Sequence, residues 1–256
     1  MSIRINNPEP IVVLFGPTAC GKTCLSLRLM MYLHRIGFNF NTDYNLGPDY
    51  VNWWYDNVVR PLNNGICQAQ ANSIPLLSRA IFHNSVAKFQ MLDMPGEDCK
   101  CPLPTYINNL IQLPNKKIMV FVLDFTNNGR SRGDHLNLFS EIYDTALAFS
   151  HGETDFTSLF VVNKVDCMNM NAKRNLEEFI NVELDNILMR RPFTTEKKLL
   201  GFPIKRKNHR VIPYSSFRCN LCSDIGGRFI PNYILSEDNF PQQMWNTIQS
   251  VLSGRF

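Results

Sequence analysis

The chain has 256 residues, is 45% hydrophobic and 19% charged, and sets 26 Lys and Arg against 22 Asp and Glu for a formal net charge of +4. That composition supports a substantial core and excludes wholesale disorder. The cationic excess is too small to make nucleic acid the expected partner, and no apolar run nears the roughly 18–20 residues of a membrane span.

In chain order, Ile11–Phe15 (IVVLF) is a continuous apolar run bounded by Pro10 and Gly16 and reads as a buried strand. Thr23–Ile36 has helical spacing and stops at Gly37. Phe38 to Ser73 is irregular, and is expected to hold a helix around Val51–Leu62 and a functional loop. Leu76–His83 and Val86–Asp93 read as a hairpin about Asn84-Ser85. Lys117–Phe125 is a strand, Gly133–Ser150 a helix and Phe156–Asn163 a further buried strand. Asn171–Arg191 has the pattern of one amphipathic helix, Arg210–Tyr214 of the last strand, and Pro241–Leu252 of a closing helix. Alternating strands and helices predict a three-layer α/β fold. Its sheet is expected to be mostly parallel and six-stranded, with one antiparallel edge strand. No repeat or linker interrupts the chain, so residues 1–256 are expected to form one domain with an extended segment at 38–75 and a basic insertion at 171–209.

The opening MSIRINNPEP lacks the apolar stretch of a secretory signal, so the expected location is the cytoplasm. The eight cysteines are too sparse for a disulfide scaffold. Cys99, Cys101, Cys219 and Cys222 could together supply zinc ligands, although neither pair has zinc-ribbon spacing; free thiols are the simpler expectation. The five histidines form no metal-like or triad-like pattern, and Trp53-Trp54-Tyr55 reads as packing.

Three short motifs carry chemistry. Gly16, Pro17, Thr18, Ala19, Cys20, Gly21, Lys22 and Thr23 match G-x-x-x-x-G-K-[ST], an octet that chance produces in roughly 1 of 100 chains of this length. Glycines let backbone N–H groups converge on phosphate, Lys22 adds a cation for the β/γ oxygens, and the Thr23 hydroxyl can reach Mg²⁺. The helix that follows turns its positive end toward the anion, and Cys24 in its first turn joins the candidate nucleotide contacts. Asn163-Lys164-Val165-Asp166 closes a predicted strand. A carboxylate at Asp166 can accept from both donors of guanine, the Lys164 stem can cover the base face, and Asn163 can tie this turn to the phosphate loop. Asp93-Met94-Pro95-Gly96 fits D-x-x-G, with Asp93 toward Mg²⁺ and the Gly96 N–H toward a γ-phosphate.

In this order the motifs resemble those of P-loop GTPases of the Ras-like and translation-factor class, over roughly Ile11 to Phe217. The D-x-P-G-E turn and the long segment before the hairpin also look like GTPases of prokaryotic conflict or signalling operons. The resemblance implies a P-loop NTPase fold and a guanine-nucleotide switch that uses Mg²⁺, hydrolyses GTP slowly and meets a protein effector or activator. It places Ser215-Ser216 in the loop whose N–H meets the guanine oxygen, though Phe217 stands where Lys is usual. Glu97 replaces the water-orienting Gln; a carboxylate accepts from water but cannot donate to the γ-phosphate. For the switch ligand to Mg²⁺, which should stand just before the hairpin, Ser73 is better placed than Thr42, which lies far upstream of Leu76; a third possibility is that neither serves. A non-catalytic GTP/GDP-dependent scaffold is the alternative, and a P-loop small-molecule kinase a more distant one. The run Lys197, Lys198, Lys205, Arg206, Lys207 and Arg210 is read as a solvated surface or a docking site for an acidic partner.

Overall fold

A computed structural model of the chain describes residues 9–41, 76–82, 88–96, 98–99, 102, 104–126, 132–149, 156–184, 194–199, 202–207, 209–223 and 229–253. Seven strands form the main sheet: β1 (Ile11–Phe15), β2 (Phe38–Asn41), β3 (Leu76–Phe82), β4 (Lys88–Asp93), β5 (Lys117–Asp124), β6 (Phe156–Asn163) and β9 (His209–Pro213). Their order is β2-β3-β4-β1-β5-β6-β9. β1 pairs in parallel with β4 and β5, β5 with β6, and β6 with β9. β3 is antiparallel to both β4 and β2. The reversed strand is therefore one place in from the edge, because β2 adds a seventh strand to the six expected. Its sequence, Phe-Asn-Phe-Asn, alternates as a half-buried strand does. The register, Leu76 with Asp93 through Ile81 with Lys88, is centred on Asn84-Ser85 as a two-residue turn there requires; the turn itself lies outside the described residues.

Among the described residues five α-helices cover the sheet: α1 (Lys22–Arg35), α2 (Thr105–Gln112), α3 (Arg132–Phe149), α4 (Met170–Glu178) and α5 (Asn239–Leu252). Alternation along each central strand splits the core in two, as a sheet buried on both faces requires. Ile11, Val13 and Phe15 of β1 join Met119, Phe121 and Leu123 of β5 in the cluster that α2, α3 and α4 cover. Val12, Leu14, Ile118, Val120 and Val122 face the cluster of α1 and α5. On the first face Phe121 stacks on Phe160 at 5.2 Å and meets Phe139 edge-on at 4.5 Å. On the second, Trp245 of α5 meets Phe38 edge-on at 4.9 Å and stacks on Phe89 at 5.7 Å, which ties β2 and β4 to the closing helix. Buried Arg28 of α1 donates to Asp238 Oδ1 and to the Ser236 carbonyl, both at 2.7 Å, just before α5.

α2 was not expected, although Tyr106, Ile107, Leu110 and Ile111 after Pro104 have its period. The helix expected over 171–191 starts at Met170: Asn169 caps it by accepting from the Ala172 N–H at 2.8 Å, and after Glu178 the backbone widens into a π-helical segment, Phe179–Leu184, while 185–191 lie outside the described residues. The basic run lies largely on a separate ribbon of β7 (Thr194–Leu199) and β8 (Phe202–Lys207), with Glu196 opposite Lys205 and Thr195 opposite Arg206. β9 lies where the last strand is expected, but it is not the last. β10 (Phe217–Ser223) and β11 (Phe229–Leu235) follow as a second antiparallel ribbon outside the main sheet. Among the described residues no helix is long and apolar enough to cross a membrane.

Candidate functional site

Parallel strands around β1 deliver their loops to one end of the sheet, and the three motifs lie there. The loop from β1 to α1 is wrapped around Lys22. Its ammonium donates to the carbonyls of Gly16 at 2.6 Å and Pro17 at 3.0 Å, and the residue is 6% exposed. Burial works against that charge, but Cys20, Cys99 and Asp93 outweigh it and raise the Lys22 pKa above the ordinary lysine value. Burial also raises the thiols of Cys20 and Cys99, Cys99 to about 11. The Gly21 carbonyl accepts the first helical bond, from the Leu25 N–H at 2.9 Å, so the positive end of α1 opens onto the loop. Gly21 has φ +89, and a Cβ there would fall 2.4 Å from Asn163 Nδ2. Glycine is required by the backbone and by the approach of Asn163.

Thr23 and Asp93 meet at the start of α1 and the end of β4. The Thr23 hydroxyl donates to Asp93 Oδ2 at 2.7 Å, and Asp93 is 3% exposed. A hydroxyl beside a carboxylate is a hard-oxygen donor pair of the kind Mg²⁺ selects, so these residues fit that ion. Beyond Asp93, Met94 N–H donates to the Leu14 carbonyl at 3.2 Å and the chain turns through Pro95 to Gly96. A Cβ on Gly96 would stand 2.5 Å from Thr18 Cα, so only glycine lets this turn lie flush on the phosphate loop.

The turn after β6 is clipped onto the same loop. Asn163 Nδ2 donates to the Cys20 carbonyl at 3.0 Å, as its expected tying role requires. Lys164 takes a left-handed backbone, φ 59, and its ammonium reaches the Ala19 carbonyl at 2.9 Å and Asp124 Oδ2 at 2.5 Å. Asp166 is exposed at the mouth of the site, and the Ser215 hydroxyl donates to its Oδ1. Tyr214 binds the turn from β9, with its N–H on the Val162 carbonyl at 2.7 Å and its carbonyl accepting from the Val165 N–H at 3.3 Å. Ser215 and Ser216 are both buried behind Asp166.

The structure thus brings together Gly16 through Thr23, Asp93, Gly96, Asn163, Lys164, Asp166 and Ser215. Cys24 is half-buried in the first turn of α1. Glu97, Ser73, Thr42 and Cys101 lie outside the described residues, as do the side chains of Cys219 and Cys222. Cys20, Cys24, Cys99 and Cys167 form no disulfide, and no metal-binding cluster of three or more His, Cys, Asp or Glu occurs among the described residues. Two contributors escaped the sequence reading. Tyr214 acts through its backbone and leaves no side-chain signal. Asp124 did have one, an Asp-x-Thr turn directly after a strand.

A phosphate loop between β1 and α1, a D-x-x-G turn lying on it, and an N-K-x-D turn clipped to it are arranged as the resemblance implied. The chain has a three-layer α/β fold with a mostly parallel sheet and a G-x-x-x-x-G-K-T loop between its first strand and first helix.

No family model and no curated protein matches the sequence. Among solved structures the chain is similar to nucleolar GTP-binding protein 1 of Plasmodium falciparum, at 15% identity and TM-score 0.49 over 98% of this chain and 89% of that one. It is similar to the bacterial selenocysteine-specific elongation factor EF-Sec at 14% identity and TM-score 0.48, over 96% of this chain. A third is elongation factor SelB of Methanococcus maripaludis in complex with the GTP analogue GppNHp, at 13% identity and TM-score 0.43 over 98% of this chain. The chain spans 29% and 35% of the lengths of these two elongation factors.

Proposed function

We propose that this protein is a guanine-nucleotide switch, which binds GTP and GDP with Mg²⁺ and hydrolyses GTP slowly. The observation that carries the reading is the bond from Asn163 to the Cys20 carbonyl, because it holds a base-reading turn at a fixed distance from a phosphate-binding loop. Lys22 and the loop N–H groups hold the phosphates, and Asp166 accepts from the two guanine donors. Adenine offers no such donor pair and would leave the carboxylate unmatched. Lys164 covers the base face, and Ser215 fixes the Asp166 carboxylate while the Ser215-Ser216 backbone meets the guanine oxygen. Thr23 and Asp93, with Ser73 as the favoured switch ligand, would hold Mg²⁺, which when bound neutralises charge on the β- and γ-phosphates. Gly96 senses the γ-phosphate through its N–H and Glu97 borders the attacking water. Residues 1–256 act as one nucleotide-binding domain that presents its state to an effector or activator protein.

Binding of fluorescent GTP, with ATP as competitor, and single-turnover phosphate release test this reading. Asp166→Ala should cost guanine preference by about 10²-fold, and Lys22→Ala should abolish binding with the fold retained. Equal affinity for ATP and GTP in the unmutated protein would end the guanine assignment. Unassisted turnover should be slow, on the order of 10⁻⁴ s⁻¹. Glu97→Gln should keep or raise that rate, since an amide both accepts from water and donates to phosphate; a drop of about 10²-fold would make Glu97 a required base instead. Tight GTP binding with no hydrolysis in either form would favour the scaffold alternative.

A further inference from the structure

Among the described residues only two that are not glycine have left-handed backbones, Ala19 at φ 67 and Lys164 at φ 59. They are bonded to each other, Lys164 Nζ to the Ala19 carbonyl at 2.9 Å. The third member is Asp124, whose Oδ2 lies 2.5 Å from the same ammonium. Asp124 ends β5 directly opposite Asn163 in the sheet register and is 3% exposed. Its other oxygen accepts from the Thr126 N–H at 3.0 Å and the Thr126 hydroxyl at 2.7 Å, which leaves Oδ2 aimed at Lys164. Two conformations that disfavour ordinary side chains, one in each half of the site, thus share a single cation held by a buried carboxylate whose orientation is fixed.

We infer that Asp124 is a positioning residue that latches the base-reading turn to the phosphate loop through Lys164, and so sets how long a guanine nucleotide stays bound; this rests on the guanine-nucleotide reading above. A carboxylate at Asp124 does two things that a neutral group cannot. It compensates the Lys164 ammonium where that side chain is only 35% exposed, and it holds the stem extended across the mouth of the site. Because the same ammonium also grips Ala19, loosening it frees both the base platform and one bend of the phosphate loop. Base and phosphate affinities are then coupled without any contact between Asp124 and the nucleotide.

The test follows release of fluorescent GDP from the full chain, in the unmutated protein, Asp124→Asn, Lys164→Ala and the double variant. Asp124→Asn should speed release about tenfold or more, and the double variant should release no faster than Lys164→Ala alone, since Asp124 acts through Lys164. Thr126→Ala keeps the charge and the backbone bond to Asp124; it should give a smaller acceleration, and it carries the test if Asp124→Asn does not fold. Losses that add in the double variant, or GDP release unchanged in both Asp124→Asn and Thr126→Ala, would overturn the latch and leave the nucleotide reading intact. Failure of the unmutated protein to bind GDP would overturn both.

Discussion

At the residue scale, the site depends on a few places where one atom more or less decides the geometry. Gly21 is the clearest, because a methyl group there meets Asn163 Nδ2 at 2.4 Å in a backbone region that side chains avoid. In Gly21→Ala either the loop or Asn163 must give way, breaking the bond to Cys20. Strain of this kind costs about 1–3 kcal/mol, against a total stability of roughly 5–15 kcal/mol. The variant should therefore fold yet lose guanine-nucleotide affinity by about 10²-fold, as equilibrium binding would report; affinity within twofold of the unmutated protein would refute the clip between loop and turn. Lys22 shows a different balance. Burial opposes its charge, but the loop carbonyls of Gly16 and Pro17 accept from the ammonium, and Cys20, Cys99 and Asp93 hold its pKa above the ordinary lysine value.

At the element scale, α1 and α5 are joined on the face away from the Phe121 cluster by a lock at Asp238. Hydrogen bonds from Arg28, opposed by partial burial and aided by Arg35, hold the Asp238 carboxyl below its ordinary value of 3.8. A depressed carboxylate stabilises the native state fully above the unfolded pKa, and the contribution disappears as pH falls through the lower, native value. Asp238 is 41% exposed, so solvent screening limits the effect to on the order of 1 kcal/mol. Asp238→Asn should lower the melting temperature at pH 7, and the gap should close as the pH is taken below 3.8. A gap constant from pH 7 into strong acid would show that packing, not charge, is lost. On the opposite face, Phe121→Ala would remove the ring that meets Phe139 and Phe160, a loss of about 3–5 kcal/mol by denaturant titration.

At the scale of the whole molecule, the proposed nucleotide site draws on the ends of β1, β4, β5, β6 and β9, so a ligand there would bridge most of the sheet. Binding confined to the native state stabilises it by about 2.7 kcal/mol at a hundredfold excess over Kd. For a chain of this size that corresponds to a rise in melting temperature of roughly 5–10 °C. GDP with Mg²⁺ should produce the rise and ADP with Mg²⁺ at the same concentration should not; equal shifts would contradict discrimination by Asp166.

What is local in the chain is legible in the sequence. β1 and β6 have the residue limits expected from their apolar runs, and the phosphate loop, DMPG and NKVD stand at strand ends, because each is specified by neighbours in sequence. Burial on both faces makes such strands continuous in hydrophobicity, and anion-binding loops need glycine and lysine at set spacings. What depends on partners distant in sequence was not legible. β2 is a strand because β3 pairs with it and Phe38 finds Trp245; its four residues alone are too few to declare a strand beside a long irregular segment. The ribbons β7–β8 and β10–β11 lack a continuous apolar run, so pairing with each other defines them. Asp124, Lys164 and Ala19 became one unit only in three dimensions, since a carboxylate and an ammonium forty residues apart carry no sign of a shared bond until the parallel register of β5 and β6 sets their strand ends side by side.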